Sequence, residues 1–450
     1  MYSPASVRRE APGSGDAKEN RMRPEDAAVH RWYRFVLSFP PHLVQNYLSR
    51  FGVEIGDMVL DPFAGTGTTL IEAKKAGINS LGIESNPMAH FASSVKANWQ
   101  TDTENLRVFA AKVADEASGE EARIPLGVDG ELPLFVNGKS IARMLRQLNP
   151  EASKLLLKDS ISPLPLHRSL GLLACIDSLG TAEEARFGRL ALASGLVESI
   201  GNLKFGPEVG IGRIRHDAPV IETWMQKMEE ISRDIEYVQG TTPALSDTHL
   251  GDARTIDKLT KPNSVDAVIT SPPYPNEKDY TRTTRLESVL LGFVRSRTEL
   301  RRQKGNFIRS NTRGVYKGDN DDQAIAQVPE VQRISDEIEQ RRLDLGKTSG
   351  FERMYARVTR LYFGGMARHL AALSFVLKPG AQLVYIVGDQ ASYLRVKIQT
   401  GRLLAEIADS LGYEVIDREL FRTRLATVTG EQLREEALVL RWPGRTPVVM

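Results

Sequence analysis

The 450 residues carry 59 Lys and Arg against 57 Asp and Glu, a formal net charge of +2, with 41% hydrophobic residues, 7 His and one Cys. That balance excludes wholesale disorder and collagen-like or low-complexity chains. A single cysteine excludes an intramolecular disulfide, and no apolar run approaches the ~18 residues that cross a bilayer, so a soluble protein of the cytoplasm is expected.

Residues 1–28 are rich in charge, Pro and Gly, lack the apolar stretch of a signal peptide, and are read as a disordered tail. From Asp57 to Thr69 a short apolar run reaches Asp61, enters a Gly-rich turn and continues into LIEAKKAG, with helical spacing and a stop at Gly77. A second apolar run, Ser80 to Glu84, ends in a carboxylate about 20 residues after that turn, which predicts a βαβ unit and an α/β fold. From about Ala92 to Asp247 long amphipathic patterns replace the strands. One of them opens with Thr181 and Glu184 at capping-box spacing, and Phe187, Leu190, Ala191, Ser194 and Val197 share a face along it. Strand patterns return at 265–274, 381–389, 413–421 and 436–442. Between Arg295 and Lys317 stand eight Lys or Arg against Glu299 alone, interrupted by Gly305, Asn306, Asn311 and Gly314, which reads as a basic loop.

The turn defines a ligand class. Gly65 and Gly67 remove the Cβ atoms that would keep a ligand from the backbone, and the following helix offers free N–H groups. Leu70 occupies the place of the third glycine of a dinucleotide fingerprint, and the G-K-[ST] ending of a P-loop is absent, so NAD and ATP are disfavoured. Asp61 at one strand end can accept from an ammonium group, and Glu84 at the next can take two ribose hydroxyls. An amino acid joined to a nucleoside meets both conditions, as S-adenosylmethionine does. Asp252 in GDAR can accept from an adenine amino group or cap a helix, and both roles can coexist.

Thr270-Ser271-Pro272-Pro273-Tyr274 follows the apolar strand at 265–269, so two prolines make a rigid loop at its end. The Ser271 hydroxyl and the Pro272 carbonyl can accept both N–H groups of a nucleobase amine and favour a pyramidal nitrogen, while Tyr274 offers a stacking face. The scattered histidines and Cys175, read as a small buried residue, give no metal site.

DPFAGTGTT, then GIESNP, then TSPPY on a later strand resembles the amino-methylating DNA methyltransferases, which modify N4 of cytosine or N6 of adenine. Residues 39–63 are similar to that family's helix and loop beside the methionine end of the cofactor pocket, and 377–389 to its fifth strand. The resemblance implies a Rossmann-like methyltransferase fold with a mostly parallel seven-stranded sheet, and S-adenosyl-L-methionine as cofactor. It also implies Asp61, Phe63, Gly65, Gly67, Thr68 and Glu84 along the cofactor, Asp252 at its adenine, and Ser271, Pro272, Pro273 and Tyr274 at the target base. Many cytosine-N4 enzymes place the catalytic segment before the Gly-rich loop; here it follows by about 200 residues. Serine at the head of S-P-P-Y favours cytosine by family habit, with adenine-N6 methylation as the alternative. RNA or protein substrates, and an inactive nucleic-acid binder with the same fold, stay open.

The expected organisation is a catalytic domain of 29–91, 248–284 and 351–450, a mostly helical insertion at 92–247, and a basic insertion at 285–350 for target recognition. Arg295, Arg297, Arg301, Arg302, Lys304, Arg309 and Arg313 are the candidate phosphate contacts on DNA, against the alternative of a solvated surface. A second candidate is the glycine-rich stretch 202–215. A cognate restriction nuclease is a further expected partner if the chain serves a restriction-modification system, and the sequence leaves the oligomeric state open.

Overall fold

Successive residues of a strand point to opposite faces, and the apolar runs of this chain use both faces, as strands buried on two sides must. In the computed structural model, which describes residues 22–33, 39–122, 145–206, 208–425 and 432–446, seven strands join into one sheet. They are β1 (Met58–Asp61), β2 (Asn79–Glu84), β5 (Ser246–Leu250), β6 (Val265–Thr270), β7 (Leu377–Gly388), β8 (Glu414–Leu425) and β9 (Gln432–Arg441). β3 (Leu203–Lys204) and β4 (Gly210–Ile211) pair separately within the glycine-rich stretch. The sheet order is β5-β2-β1-β6-β7-β9-β8. Neighbours from β5 to β7 are parallel, and β9 runs antiparallel to both β7 and β8. This is the mostly parallel seven-stranded sheet of the methyltransferase fold expected above.

The alternation sorts residues into two cores. Leu60, Val268, Leu383, Tyr385, Leu438 and Leu440 share one cluster with helices α10 (Tyr355–Ser374) and α11 (Thr400–Ser410). Val59, Ile269, Val384, Ile386 and Val439 point the other way, against α1 (Pro41–Arg50). A third core belongs to the helices: α3 (Pro87–Lys96), α4 (Thr103–Ala122), α5 (Pro163–Leu179), α6 (Ala182–Gly195) and α7 (Val220–Val238). The capping box at the start of α6 is present, with Glu184 N–H donating to Thr181 Oγ1 at 3.2 Å and Thr181 N–H donating to Glu184 Oε2 at 2.8 Å.

These cores shift the expected boundaries. A boundary at 92 would cut α3, and β5 joins the sheet from Ser246. Residues 285–350 do not form one packing unit: Leu286, Leu290 and Leu291 belong to the helical core, while Ile308, Ile325, Val331, Ile334 and Ile338 belong to the sheet core. Part of the expected tail is folded. Pro24–Asp26 forms a 3-10 turn with Asp26 buried and accepting from Gln45 Nε2, whereas residues 1–21 lie outside the described residues. Next in the chain, Val29 N–H and Trp32 Nε1–H donate to the buried Asp234 of α7 at 2.9 and 3.0 Å, and Tyr33 Oη–H donates to the buried Glu287. The N-terminal segment thereby joins the helical core, while its Asp26 bonds Gln45 of α1, the helix packed on the sheet.

Helix α10 passes so close to the 3-10 turn Asp321–Ile325 that a Cβ on Gly364 would stand 1.9 Å from the Asp321 carbonyl oxygen. Gly364→Ala is therefore expected to cost about 3 kcal/mol through overpacking. Gly240→Ala, with nothing within 4 Å of its added Cβ, should stay within about 0.5 kcal/mol. Urea denaturation of the two variants checks this, and equal midpoints would refute the close approach.

Candidate active site

The chain turns twice at the carboxyl ends of adjacent strands, and a hydrogen bond joins the two turns. Strand order reverses at β1, with β2 and β5 on one side and β6 and β7 on the other, and such a switch point opens a crevice above the strand ends. There Thr270 Oγ1–H at the end of β6 donates to Asp61 Oδ1 at the end of β1, at 2.6 Å. Phe63 N–H donates to the same oxygen at 3.0 Å. One cavity lies above, lined by Gly65, Thr68, Glu84, Asp252 and Ser271 through Tyr274, so the two motifs that stand about 200 residues apart in sequence share one site.

The cavity wall separates the expected cofactor residues into two groups. Phe63, Gly65, Thr68, Glu84 and Asp252 line it. Gly65 has φ +53°, and a Cβ there would touch nothing nearer than the Phe63 carbonyl oxygen at 4.0 Å, so its missing side chain leaves open space for a ligand. Asp61 and Gly67, also expected along the cofactor, stand behind the cavity wall rather than in it. Asp61 is wholly buried and holds the loop from behind; its Oδ2 has no hydrogen-bond partner among the described residues. Burial pushes its carboxyl up to about 6 despite the hydrogen bond from Thr270. Gly67 has φ +89° and a Cβ there would press on Ser93 Cβ at 3.1 Å, so it lets the start of helix α2 (Thr68–Lys75) pack on α3.

Glu84 receives Gly65 N–H on Oε2 at 2.8 Å and Asn86 N–H on Oε1 at 2.7 Å. A carboxylate has about four lone-pair sites, so acceptor capacity is left for hydroxyls. Of the two roles weighed for Asp252, the structure shows the cap. Its side chain accepts from Arg254 N–H at 2.9 Å as the cap of the 3-10 helix Ala253–Lys258, and it stands in the cavity wall. Arg254 bridges it to the buried Asp321, which Arg368 also pairs at 2.6 Å. Phe63 meets the edge of His369 with ring centroids 4.9 Å apart. His369 is buried between the Ala253 carbonyl and the Tyr385 hydroxyl, and burial lowers its pKa to about 4, so it is a neutral wedge.

In the second motif Ser271 Oγ–H donates to the Ile386 carbonyl at 3.1 Å. With its hydrogen on that carbonyl, the oxygen faces an incoming amine as an acceptor. Tyr274 N–H donates to Tyr280 Oη at 3.2 Å, which fixes the loop. Burial, with the Glu435 carboxylate nearby, pushes the Tyr274 phenol well above its ordinary pKa, so the ring stays neutral. Tyr280, Asn276, Phe307, Phe421, Arg422 and Glu435 also line the cavity and carry no motif that sequence reasoning could use.

The basic segment is more ordered than a loop. Helix α8 (Arg297–Gly305) starts at Ser296, whose Oγ accepts from Glu299 N–H at 3.1 Å, and none of its residues is buried, so no apolar stripe announced it. Arg295, Arg297, Arg301, Arg302 and Arg313 are exposed. Arg309 is not: it is buried, paired with Asp319 at 2.8 Å and donating to the carbonyls of Lys304 and Phe307, so it braces the fold and is corrected from phosphate contact to structural residue. Lys304 likewise pairs with Asp279 at 2.6 Å with little exposure. Among the described residues no group of three His, Cys, Asp or Glu is placed to hold a metal ion, and no helix is long and apolar enough to cross a membrane.

Residues 15–93 match the N6_N4_Mtase family, described as DNA methylase. The Type II methyltransferase M.BsoBI of Geobacillus stearothermophilus is 29% identical over 288 residues, 60% of this chain and 53% of the relative, so the chain spans about half the length of that relative. The Type II methyltransferase M.AvaI, from a Nostoc strain and from Anabaena variabilis, is 24% identical over 413 residues, 88% of this chain and 80% of the relative. The solved structure of TrmN from Thermus thermophilus covers 94% of this chain and 54% of its own at 10% identity, with a TM-score of 0.32, too slight a likeness to bear on either fold or function. With the order of motifs and strands, these similarities support assignment of the chain to the amino-methyltransferases.

Family and fold imply S-adenosylmethionine, and the residues fit it: an open glycine, a ribose-ready carboxylate and a rim carboxylate on one wall. Burial raises the Glu84 carboxyl to about 7, against the backbone hydrogen bonds it accepts. Hydroxyl donors need the carboxylate form, so cofactor affinity should rise from pH 6 to pH 8, at most ~10-fold per pH unit below 7 and level above it. Glu84→Gln should flatten that profile, as calorimetric titration at four pH values would show. A wild-type affinity independent of pH would count against Glu84 as the ribose ligand.

Proposed function

We propose that this protein methylates the exocyclic N4 amine of cytosine at a specific site in DNA, as the protecting arm of a restriction-modification system or as a solitary methylase. The observation that supports this most is the convergence of the glycine loop and the Ser271–Tyr274 loop on one cavity, with the Ser271 hydroxyl hydrogen already given to the Ile386 carbonyl. Bound beside Gly65 and Glu84, S-adenosylmethionine supplies an electrophilic methyl group. The amine of a nucleobase is a poor nucleophile because its lone pair is delocalised into the ring. Ser271 Oγ and the Pro272 carbonyl accept its two N–H groups, favour a pyramidal nitrogen and free the lone pair. Tyr274 stacks on the base, and Tyr280 keeps the tyrosine loop in place.

A duplex base cannot reach such a cavity without leaving its stack. The exposed Arg295, Arg297, Arg301, Arg302 and Arg313 are the candidate phosphate contacts that hold flanking DNA, with Arg301 lying over the Tyr316 ring at 4.8 Å. Adenine-N6 methylation is the second reading, because both bases offer the same amine to the same clamp. Serine at position 271 favours cytosine.

Mass spectrometry of DNA methylated by the purified protein should show N4-methylcytosine, and N6-methyladenine as the sole product would reject the cytosine reading. Methylation-sensitive sequencing of the same DNA gives the site. Ser271→Ala should lower kcat about 100-fold or more while leaving cofactor affinity within about threefold. Replacing Arg297, Arg301 and Arg302 by Gln should weaken DNA binding and reduce its log-log salt slope by roughly 2–3; an unchanged slope would move the DNA elsewhere on the surface.

A further inference from the structure

The row of strand ends that begins at Ser271 continues across the sheet. From the end of β6 the row passes Ile386 and Gly388 at the end of β7, then Glu435 near the start of β9, then Arg422 near the end of β8. Gly388 pairs in register with Glu435, and Glu435 with Arg422. A Cβ at Gly388 would lie 3.2 Å from both Tyr274 Cε2 and Glu435 Cγ, so the tyrosine ring and the glutamate stem flank the same glycine. Arg422 donates from Nε to Glu435 Oε2 at 2.5 Å and from Nη2 to Oε1 at 2.9 Å, a two-pronged pair, and both residues line the cavity.

We propose that Arg422, held by Glu435, is the specificity-determining residue that selects cytosine over adenine, by donating to O2 of the target base. The proposal rests on the amine-methylating reading above and gives it a means of choosing the base. With its amine held at Ser271 and Pro272, a base lays its Watson–Crick edge along the row. Cytosine then presents the amine, the N3 acceptor and the O2 acceptor. Adenine presents the amine, the N1 acceptor and a C2–H. The first two positions are alike in hydrogen bonding, so beyond the family habit at Ser271 the base edge separates the two at the third. A guanidinium only donates, so it is satisfied by a carbonyl and left facing a carbon by adenine. A site built to pair a polar group rejects the base that lacks it far more strongly than shape alone does.

The placement suits that reach. Neighbouring strands stand ~4.8 Å apart, so β9, where Glu435 holds the guanidinium, lies about 10 Å from β6, the scale of a pyrimidine with its hydrogen-bond partners; Arg422 reaches back to it from β8, one strand farther out. Glu435 acts as a positioning residue: its two oxygens hold the planar fork in one orientation, which a lysine ammonium could not match.

The test uses duplexes carrying the sequenced site. One holds cytosine at the target position; the other holds the 2-aminopyridine C-nucleoside, which keeps the amine and the ring nitrogen but has C–H in place of the carbonyl. Arg422→Gln should lower kcat/KM about tenfold or more on cytosine and less than about threefold on the analogue, with cofactor affinity unchanged. Equal losses on the two duplexes, or no loss on cytosine, overturn the role of Arg422. Should Arg422→Gln not fold, because it leaves the Glu435 carboxylate without its guanidinium, the double variant Arg422→Gln/Glu435→Gln carries the same comparison. Wild-type protein that yields N6-methyladenine and no methylated cytosine sinks the cytosine reading itself, a result distinct from N4-methylcytosine formed with no dependence on Arg422.

Discussion

The hydrogen bond from Thr270 to Asp61 holds the two halves of the site together. Both residues are wholly buried at strand ends on either side of the switch point, and Asp61 also fixes Phe63 N–H, so one carboxylate sets the start of the glycine loop and the start of the serine loop. Burying it is costly, as its raised pKa records, and the structure accepts that cost where two turns must keep a fixed separation. A ligand on the glycine loop and a base on the serine loop can then meet without either loop moving far.

Around this joint the chain commits its polar groups before any ligand arrives. The Ser271 hydrogen goes to Ile386, Tyr274 N–H to Tyr280, Glu84 to two backbone amides, and Asp252 to Arg254. Each commitment fixes which role remains available, and fixed dipoles need not reorganise when charge develops. The helical core reaches the same site from outside. Its Asp234 accepts from Val29 N–H and Trp32 Nε1–H, a few residues before Phe39, which lines the cavity wall.

Much of the catalytic half was legible because it is local. Strand, glycine turn and helix follow one another within 20 residues, and the prolines of TSPPY mark a strand end by removing ladder donors. What could not be read depends on partners distant in the chain. Arg309 looks like its neighbours in sequence, and only Asp319 and two carbonyls reveal it as a brace. Asp61 and Gly67 belong to the glycine motif, yet packing against Thr270 and Ser93 places them behind the wall. Helix α8 lacks the apolar stripe that periodicity detects. The strand readings at 413–421 and 436–442 stopped one residue short of Arg422 and started one residue after Glu435, because charged residues look like strand ends until a cross-strand partner is known.

The sheet order has a consequence for the birth of the chain. β1 lies in the middle of the finished sheet, but its neighbour on one side, β6, begins only at Val265. At ribosomal speeds of ~5–20 residues per second, the newborn polypeptide waits roughly 10–40 seconds between emergence of the two strands. For that interval the open flank of β1 offers unpaired amides and carbonyls to any passing strand. Helices α3 to α7 are synthesised within that gap, before the flank of β1 can close.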